Sequence, residues 1–272
     1  PCIAFANHKI ASVNPKANIV VAPSDHIITK EDDFIDIIEL ALNTTAQKEW
    51  MITLGIKPNH PNTGYGYIQF NQHTIAGMDN KIRKVKTFTE KPVLEMAKSF
   101  LQSGDFLWNS GIFIWSLQTI NKAFDKHLPD IDIIFKEGAN QFNTPNEQAF
   151  IQQAYSKCKS ISIDYGVMEK ADNVHVIISD FGWSDLGTWG SLYEHSQKDT
   201  KGNAIVCNNA MLYKTNNCII NIPGDKLIVT QGIDDLIIVE ADNILLISRK
   251  SDEQQIREIV NDVKLEKGDD FV

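Results

Sequence analysis

At 272 residues, with 43% apolar and 22% charged side chains, the chain has the composition of a globular protein with room for a sizeable core. A net charge of −9, with no Lys/Arg cluster, excludes a general nucleic-acid binder. Cys2, Cys158, Cys207 and Cys218 show no CxxC spacing, and no apolar run reaches the roughly 18 residues of a membrane span. That fits reduced thiols, no membrane partner and a cytoplasmic location better than a disulfide scaffold or a zinc site.

In chain order, the first two-thirds alternate strand and helix signals, the pattern of an α/β fold. Pro1-Cys2-Ile3-Ala4 opens without Met into a helix-like apolar stretch, as in a processed N-terminus or a piece of something longer. The run 18–22 (NIVVA) predicts a strand ending in the loop Pro23-Ser24-Asp25-His26. A helix is predicted from about Lys30, with Thr29 and Asp32 spaced as a capping box. Phe34, Ile37, Ile38, Ala41 and Leu42 give it one buried stripe. Strands follow over 50–56, up to Thr89, and over 112–115; Pro92 opens a helix reaching about Gly104. Further helices are expected over 117–128 and 146–158. From Ala204 onward short apolar runs (AIV, MLY, CIINI, KLIVT, LIIVE, NILLIS) alternate with Asn, Gly and Asp turns, the signature of packed short strands. A final helix is predicted from Ser251, with Ser251 and Gln254 as a capping box and Ile256, Ile259, Val260 and Val263 as its apolar face. The expected organisation is an α/β domain over 1–200 and a β-rich segment over 201–272.

Several loops place chemistry where open α/β sheets bind ligands, at strand C-termini. Trp183-Ser184-Asp185-Leu186-Gly187-Thr188-Trp189 sets an acid between two tryptophans. A carboxylate there needs a cation or strong donors, unless Asp185 simply caps the next helix. Asp25-His26 reads as a second acidic site or as a helix-start turn. Thr63-Gly64-Tyr65-Gly66-Tyr67 is a glycine loop open to a ligand or a two-glycine hairpin. Glu90-Lys91 pairs a hydroxyl acceptor with a cation, or is an exposed ion pair. Asn109 before Ser110-Gly111 and Asp164 before Tyr165-Gly166 are each a hydroxyl contact or a turn. No GxSxG, HExxH or GxGxxG occurs, which removes support for serine-hydrolase, zinc-protease and dinucleotide readings.

Six segments in collinear order resemble the mannose-1-phosphate guanylyltransferases. They are Ala22-Pro23-Ser24-Asp25-His26, Leu54-Gly55-Ile56 with Thr63-Gly64-Tyr65-Gly66-Tyr67-Ile68, Phe88-Thr89-Glu90-Lys91-Pro92, Trp108-Asn109-Ser110-Gly111-Ile112-Phe113, Ile163-Asp164-Tyr165-Gly166-Val167-Met168-Glu169, and the 183–189 run. The resemblance implies a glycosyltransferase-like nucleotidyltransferase domain, a small β-helix-like C-terminal segment with a terminal helix, and transfer of a guanylyl group from GTP to mannose 1-phosphate. It further implies that Asp25 and Asp185 hold Mg²⁺, that Gly66, Glu90, Asn109 and Asp164 contact the sugar, and that Lys91 meets its phosphate; His26 receives no role. A homodimer is compatible with it. Transfer between two polyanions needs positioning and charge neutralisation rather than a covalent intermediate, and Mg²⁺ commonly takes one or two carboxylates plus substrate phosphates. The family's glycine-rich phosphate loop, GGxGxRLxPxS, is not found in these 272 residues. The expectation is therefore an N-terminally truncated domain that keeps the sugar-phosphate half without productive GTP binding. Two other readings stand beside it: a nucleotidyltransferase for another sugar 1-phosphate, and a non-catalytic sugar-phosphate-binding homologue.

Overall fold

The computed structural model describes residues 1–271. Its elements run α1 (Cys2–Ala11), β1 (Asn18–Val21), β2 (Ile27–Ile28), α2 (Glu31–Gln47), β3 (Met51–Ile56), β4 (Tyr67–Phe70), β5 (Ile82–Thr89), α3 (Leu94–Ser103), β6 (Phe106–Ser116), α4 (Leu117–His127), α5 (Pro129–Glu137), α6 (Glu147–Lys157), β7 (Val174–Ser179) and β8 (Trp183–Ser184). They continue with α7 (Trp189–His195), β9 (Ala204–Val206), β10 (Asn209–Asn216), β11 (Ile219–Asn221), β12 (Leu227–Asp234), β13 (Leu236–Ala241), β14 (Ile244–Arg249) and α8 (Ile256–Lys267). Two compact units divide the chain: residues 1–24 with 28–183, and residues 25–27 with 184 onward.

The first unit is built on a six-stranded sheet of order β1-β6-β3-β7-β5-β4, with β6 also pairing to β4. Only β3–β7 is a parallel pair; every pairing to β6 is antiparallel. β3 reads MITLGI and is buried from Met51 to Gly55, as a strand covered on both faces must be. Side-chain alternation along β6 serves two cores. Phe113 and Trp115 join Leu117, Ile120, Ile131 and Phe135 on one face, while Ile112 and Ile114 join Ile37, Ala41 and Phe181 on the other. The stripe predicted for α2 is the one it buries. α5 has no strong periodic signal and is not among the predicted elements; Pro129 at its start and Asp130 and Asp132 in its first turn suit a helix N-terminus.

The capping box expected at α2 is absent. Lys30 is the N-cap residue, without a side-chain cap bond, and the Thr29 hydroxyl instead donates to Gly182 O at 3.3 Å. Pro92 lies just before α3, whose N-cap is Val93, and Gly104 closes that helix with φ 73°.

In the second unit, β9, β11 and β13 stack in parallel register and β10 pairs in parallel with β12, so successive turns of chain coil into a short β-helix. β14 turns back antiparallel on β13. Cys218, Ile220, Ile222 and Ile238 fill the coil, with Leu212 and Ile228 against them. On the opposite face Ile219, Ile237 and Val239 meet Trp189, Tyr193 and Ile256. The helix expected from Ser251 starts later: a 3-10 turn covers 250–255 and α8 begins at Ile256. The Ser251 hydroxyl donates to Asp252 Oδ1 at 2.8 Å, so no Ser251/Gln254 capping box forms.

Candidate active site

A bulge in β6 positions the first group. Thr53 pairs with Phe113 and Gly55 with Asn109, so two steps on β3 face four on β6. The extra length is taken up at Ser110-Gly111, where Gly111 has φ 71°, a value glycine adopts without a Cβ penalty. The Ser110 hydroxyl donates to Leu54 O at 2.7 Å and ties the bulge down. Asn109 therefore sits within a strand, not in a turn before one. Its Oδ1 accepts from Thr53 Oγ1 at 3.2 Å and from the Gly111 N–H at 3.2 Å. Its Nδ2 donates to Asp164 Oδ1 at 2.8 Å. This network fixes the amide orientation, because a carboxylate can only accept.

The other predicted contacts of this unit converge on the same place. The Asn109 N–H donates to Gly66 O at 2.8 Å, and a Cβ added at Gly66 would lie 2.5 Å from Glu90 Oε2 and 3.5 Å from Asn109 Cβ. The absent side chain of Gly66 thus leaves the room that the Glu90 carboxylate occupies beside Asn109. The hairpin reading of its loop fails: β3 and β4 pair with other strands, and Asn62 holds the loop by accepting from the Gly64 N–H at 2.7 Å. Lys91 pairs with Glu90 at 3.1 Å and has φ 45°, strained for a non-glycine residue and more so before Pro92. Burial pushes Asp164 above the ordinary carboxylate range; the Asn109 bond pulls it down, Glu90 adds to the rise and Lys91 opposes it.

Glu169 closes the 163–169 segment that carries the family resemblance, but its position there assigns it no role. Residues 164–168 form a π-helical turn, and the Glu169 N–H donates to Asp164 O at 2.9 Å. Such turns recur at functional sites. Burial raises the Glu169 carboxyl, with the charges of Asp164 and Glu90 adding to it. Five residue positions from four motifs, together with Glu169, thus make one cluster: three carboxylates, one ammonium and one amide whose own carbonyl is already occupied.

Asp25 and Asp185 belong to the second unit. Backbone bonds from Thr29 N–H to Gly182 O and Lys30 N–H to Phe181 O run antiparallel, and β2 pairs with β8. Continued in that sense, His26 falls opposite Asp185. The electrostatics agree. Burial lowers the His26 imidazole, while Asp25 and Asp185 both act on it in the opposite direction. Asp185 Oδ1 accepts from the Gly187 N–H at 2.9 Å within a turn where Leu186 has φ 50°. The helix-capping alternatives are excluded for both acids. Thr188 caps α7 in a capping box with Ser191, and α2 starts well past Asp25.

No group of three or more His, Cys, Asp and Glu side chains among the described residues is arranged to hold a metal. Two carboxylates, all-oxygen donors, fit Mg²⁺, which completes its shell with phosphates and water. Among the described residues no helix is long and apolar enough to cross a membrane.

Residues 1–202 match the family model described as nucleotidyl transferase, and residues 208–263 the one described as a MannoseP isomerase/GMP-like beta-helix domain. A mannose-1-phosphate guanylyltransferase of Escherichia coli is 34% identical over 97% of this chain and 56% of its own length. The xanthan biosynthesis protein XanB of Xanthomonas campestris pv. campestris is 32% identical over 97% of this chain and 55% of its own. The chain spans a little over half the length of these curated relatives. The crystal structure of a mannose-1-phosphate geranyltransferase from Thermus thermophilus shares the fold, with a TM-score of 0.78 and 24% identity over 96% of this chain and 73% of that one. The architecture, the ordered motifs and these matches agree: the chain belongs to the nucleotidyl transferase family and continues into a β-helix domain of the kind found in mannose-phosphate isomerase/guanylyltransferase proteins.

Proposed function

We propose that this protein serves transfer of a guanylyl group from GTP to α-mannose 1-phosphate, giving GDP-mannose and pyrophosphate. The observation that carries the reading is the gathering of Gly66, Glu90, Lys91, Asn109 and Asp164 in one place: Asn109 bonds to Gly66 and Asp164, and the Glu90–Lys91 ion pair lies against Gly66. Glu90 and Asp164 offer acceptors to sugar hydroxyls, and the Asn109 amide donates. The Lys91 ammonium, about half exposed, can leave Glu90 for a phosphate. Asp25 and Asp185 would hold Mg²⁺, which when bound offsets phosphate charge. The protein's own part is to orient the sugar phosphate and to keep its oxygen free to attack in line, without a protein nucleophile.

Residues 1–272 contain no glycine-rich phosphate loop, so this chain is expected to bind mannose 1-phosphate and to turn over GTP poorly. The name of the relative XanB accords with a biosynthetic role, and four cysteines outside any disulfide accord with a reducing, cytoplasmic setting. Calorimetric titration with mannose 1-phosphate, glucose 1-phosphate and mannose 6-phosphate tests the reading, with ³¹P NMR following GTP consumption. Preference for mannose 1-phosphate supports it. Preference for another sugar 1-phosphate moves the protein to a sister activity, and no binding of any sugar phosphate refutes it.

A further inference from the structure

We infer that Glu253 is a positioning residue for Asp185: its carboxylate fixes the start of α7 and, through it, the short loop that carries Asp185. The inference rests on the reading of Asp185 as a cation ligand, and every residue it uses lies in the second unit. Asp185 sits on a bridge, residues 185–187, between two anchors. On one side Ser184 is buried and its hydroxyl oxygen accepts from the Leu186 N–H at 3.3 Å. On the other, Thr188 opens α7 through its capping box with Ser191. Within the bridge Leu186 has φ 50°, a left-handed backbone that persists only where its surroundings hold it.

The capping box leaves the Gly190 donor over. N–H groups in the first turn of a helix have no partner within it, and the Thr188 hydroxyl takes only that of Ser191. The Gly190 N–H donates to Glu253 Oε1 at 2.9 Å, across 63 residues of sequence. Glycine at this position admits the carboxylate, since a Cβ there would lie 2.9 Å from Glu253 Oε2. A negative charge at a helix N-terminus is also favoured by the helix dipole. The turn that supplies Glu253, residues 250–255, is itself held against α7. Lys250 Nζ lies 3.3 Å from the centre of the Tyr193 ring. Trp189 and Tyr193 pack with Ile256 on Ile219, Ile237 and Val239. Glu253 therefore ties the loop of Asp185 to the body of the β-helix.

Mn²⁺ titration with mannose 1-phosphate present tests this on the 272-residue chain, paired with amide exchange of peptides covering 184–191 and a thermal melt. Glu253→Ala should raise exchange across that segment and weaken Mn²⁺ binding about fivefold or more. Glu253→Gln, whose amide oxygen still accepts from Gly190, should keep most of the affinity. Gly190→Ala displaces the carboxylate from the other side of the contact. It should lose affinity in the same way without melting lower, because alanine suits a helix better than glycine. Ile222→Val, in the interior of the coil, should melt lower yet bind Mn²⁺ as wild type does. Unchanged exchange in Glu253→Ala overturns the proposal. So does wild-type affinity in Glu253→Ala where Asp185→Asn abolishes binding, or a loss in Ile222→Val as large as in Glu253→Ala. Mn²⁺ affinity that survives Asp185→Asn refutes the metal role instead, and exchange in Glu253→Ala then still decides whether Glu253 holds the loop.

Discussion

Gly66→Ala adds one methyl group, and its expected effect is severe for binding and mild for folding. The new Cβ would stand 2.5 Å from Glu90 Oε2, where ordinary contact begins at 3.4 Å, so the carboxylate must retreat by about 0.9 Å. Glu90 is only 22% exposed and tied to Lys91 at 3.1 Å, so its retreat also displaces the ammonium proposed for the phosphate. A charged hydrogen bond contributes about 1.5–3 kcal/mol, and misplacement near 1 Å is comparably costly, which gives a loss of roughly 10- to 100-fold in mannose 1-phosphate affinity. The backbone of Gly66 does not occupy the left-handed region, so alanine is conformationally acceptable and the melting temperature should move little. Calorimetry and a thermal melt on the same samples read both quantities. The double variant Gly66→Ala/Glu90→Asp, with a shorter acid, should recover part of the affinity. Unchanged binding in Gly66→Ala would refute the placement of Glu90 in the site.

Asp164→Asn keeps an acceptor for Asn109 and removes a charge that burial disfavours. Because the folded pKa is raised, the wild-type carboxyl is best tolerated below its unfolded value and loses stability as pH rises through the folded one. The variant should therefore melt higher than wild type at pH 7, with the gap closing toward pH 4 and below, while binding mannose 1-phosphate more weakly; a gap independent of pH would refute this. Lys91→Ala should lower mannose 1-phosphate affinity about tenfold or more at low salt and erase most of its salt dependence, as titrations at two ionic strengths would show. Thr188→Ala removes the hydroxyl that accepts from the Ser191 N–H in the α7 capping box and should cost about 1 kcal/mol in urea unfolding, against nearly nothing for a surface threonine.

The α2 stripe was legible in sequence because amphipathic periodicity directly reports which face meets the sheet. The order of motifs likewise carried the family. What sequence could not carry was local chemistry decided by tertiary partners. Thr29 and Ser251 have capping spacing, yet their hydroxyls donate to Gly182 O and to Asp252. In sequence Asn109 reads equally as a hydroxyl contact or a turn residue, because Gly111 follows it. Only the four-against-two pairing with β3 reveals a bulge that keeps it in a strand and gives Thr53 a role. Glu169 stands five residues from Asp164, a spacing that ordinary helical periodicity does not align, and the π-helical turn makes them neighbours.

Joint action of Asp25 and Asp185 on one cation is the central claim. Mn²⁺ titration in the presence of mannose 1-phosphate, followed by the signal of the free ion, measures this directly with wild type, Asp25→Asn, Asp185→Asn and the double variant. Shared ligation predicts that each single change removes most of the affinity and that the double change adds little more. Wild-type affinity in either single variant, or two partial losses that add as independent effects, would contradict it.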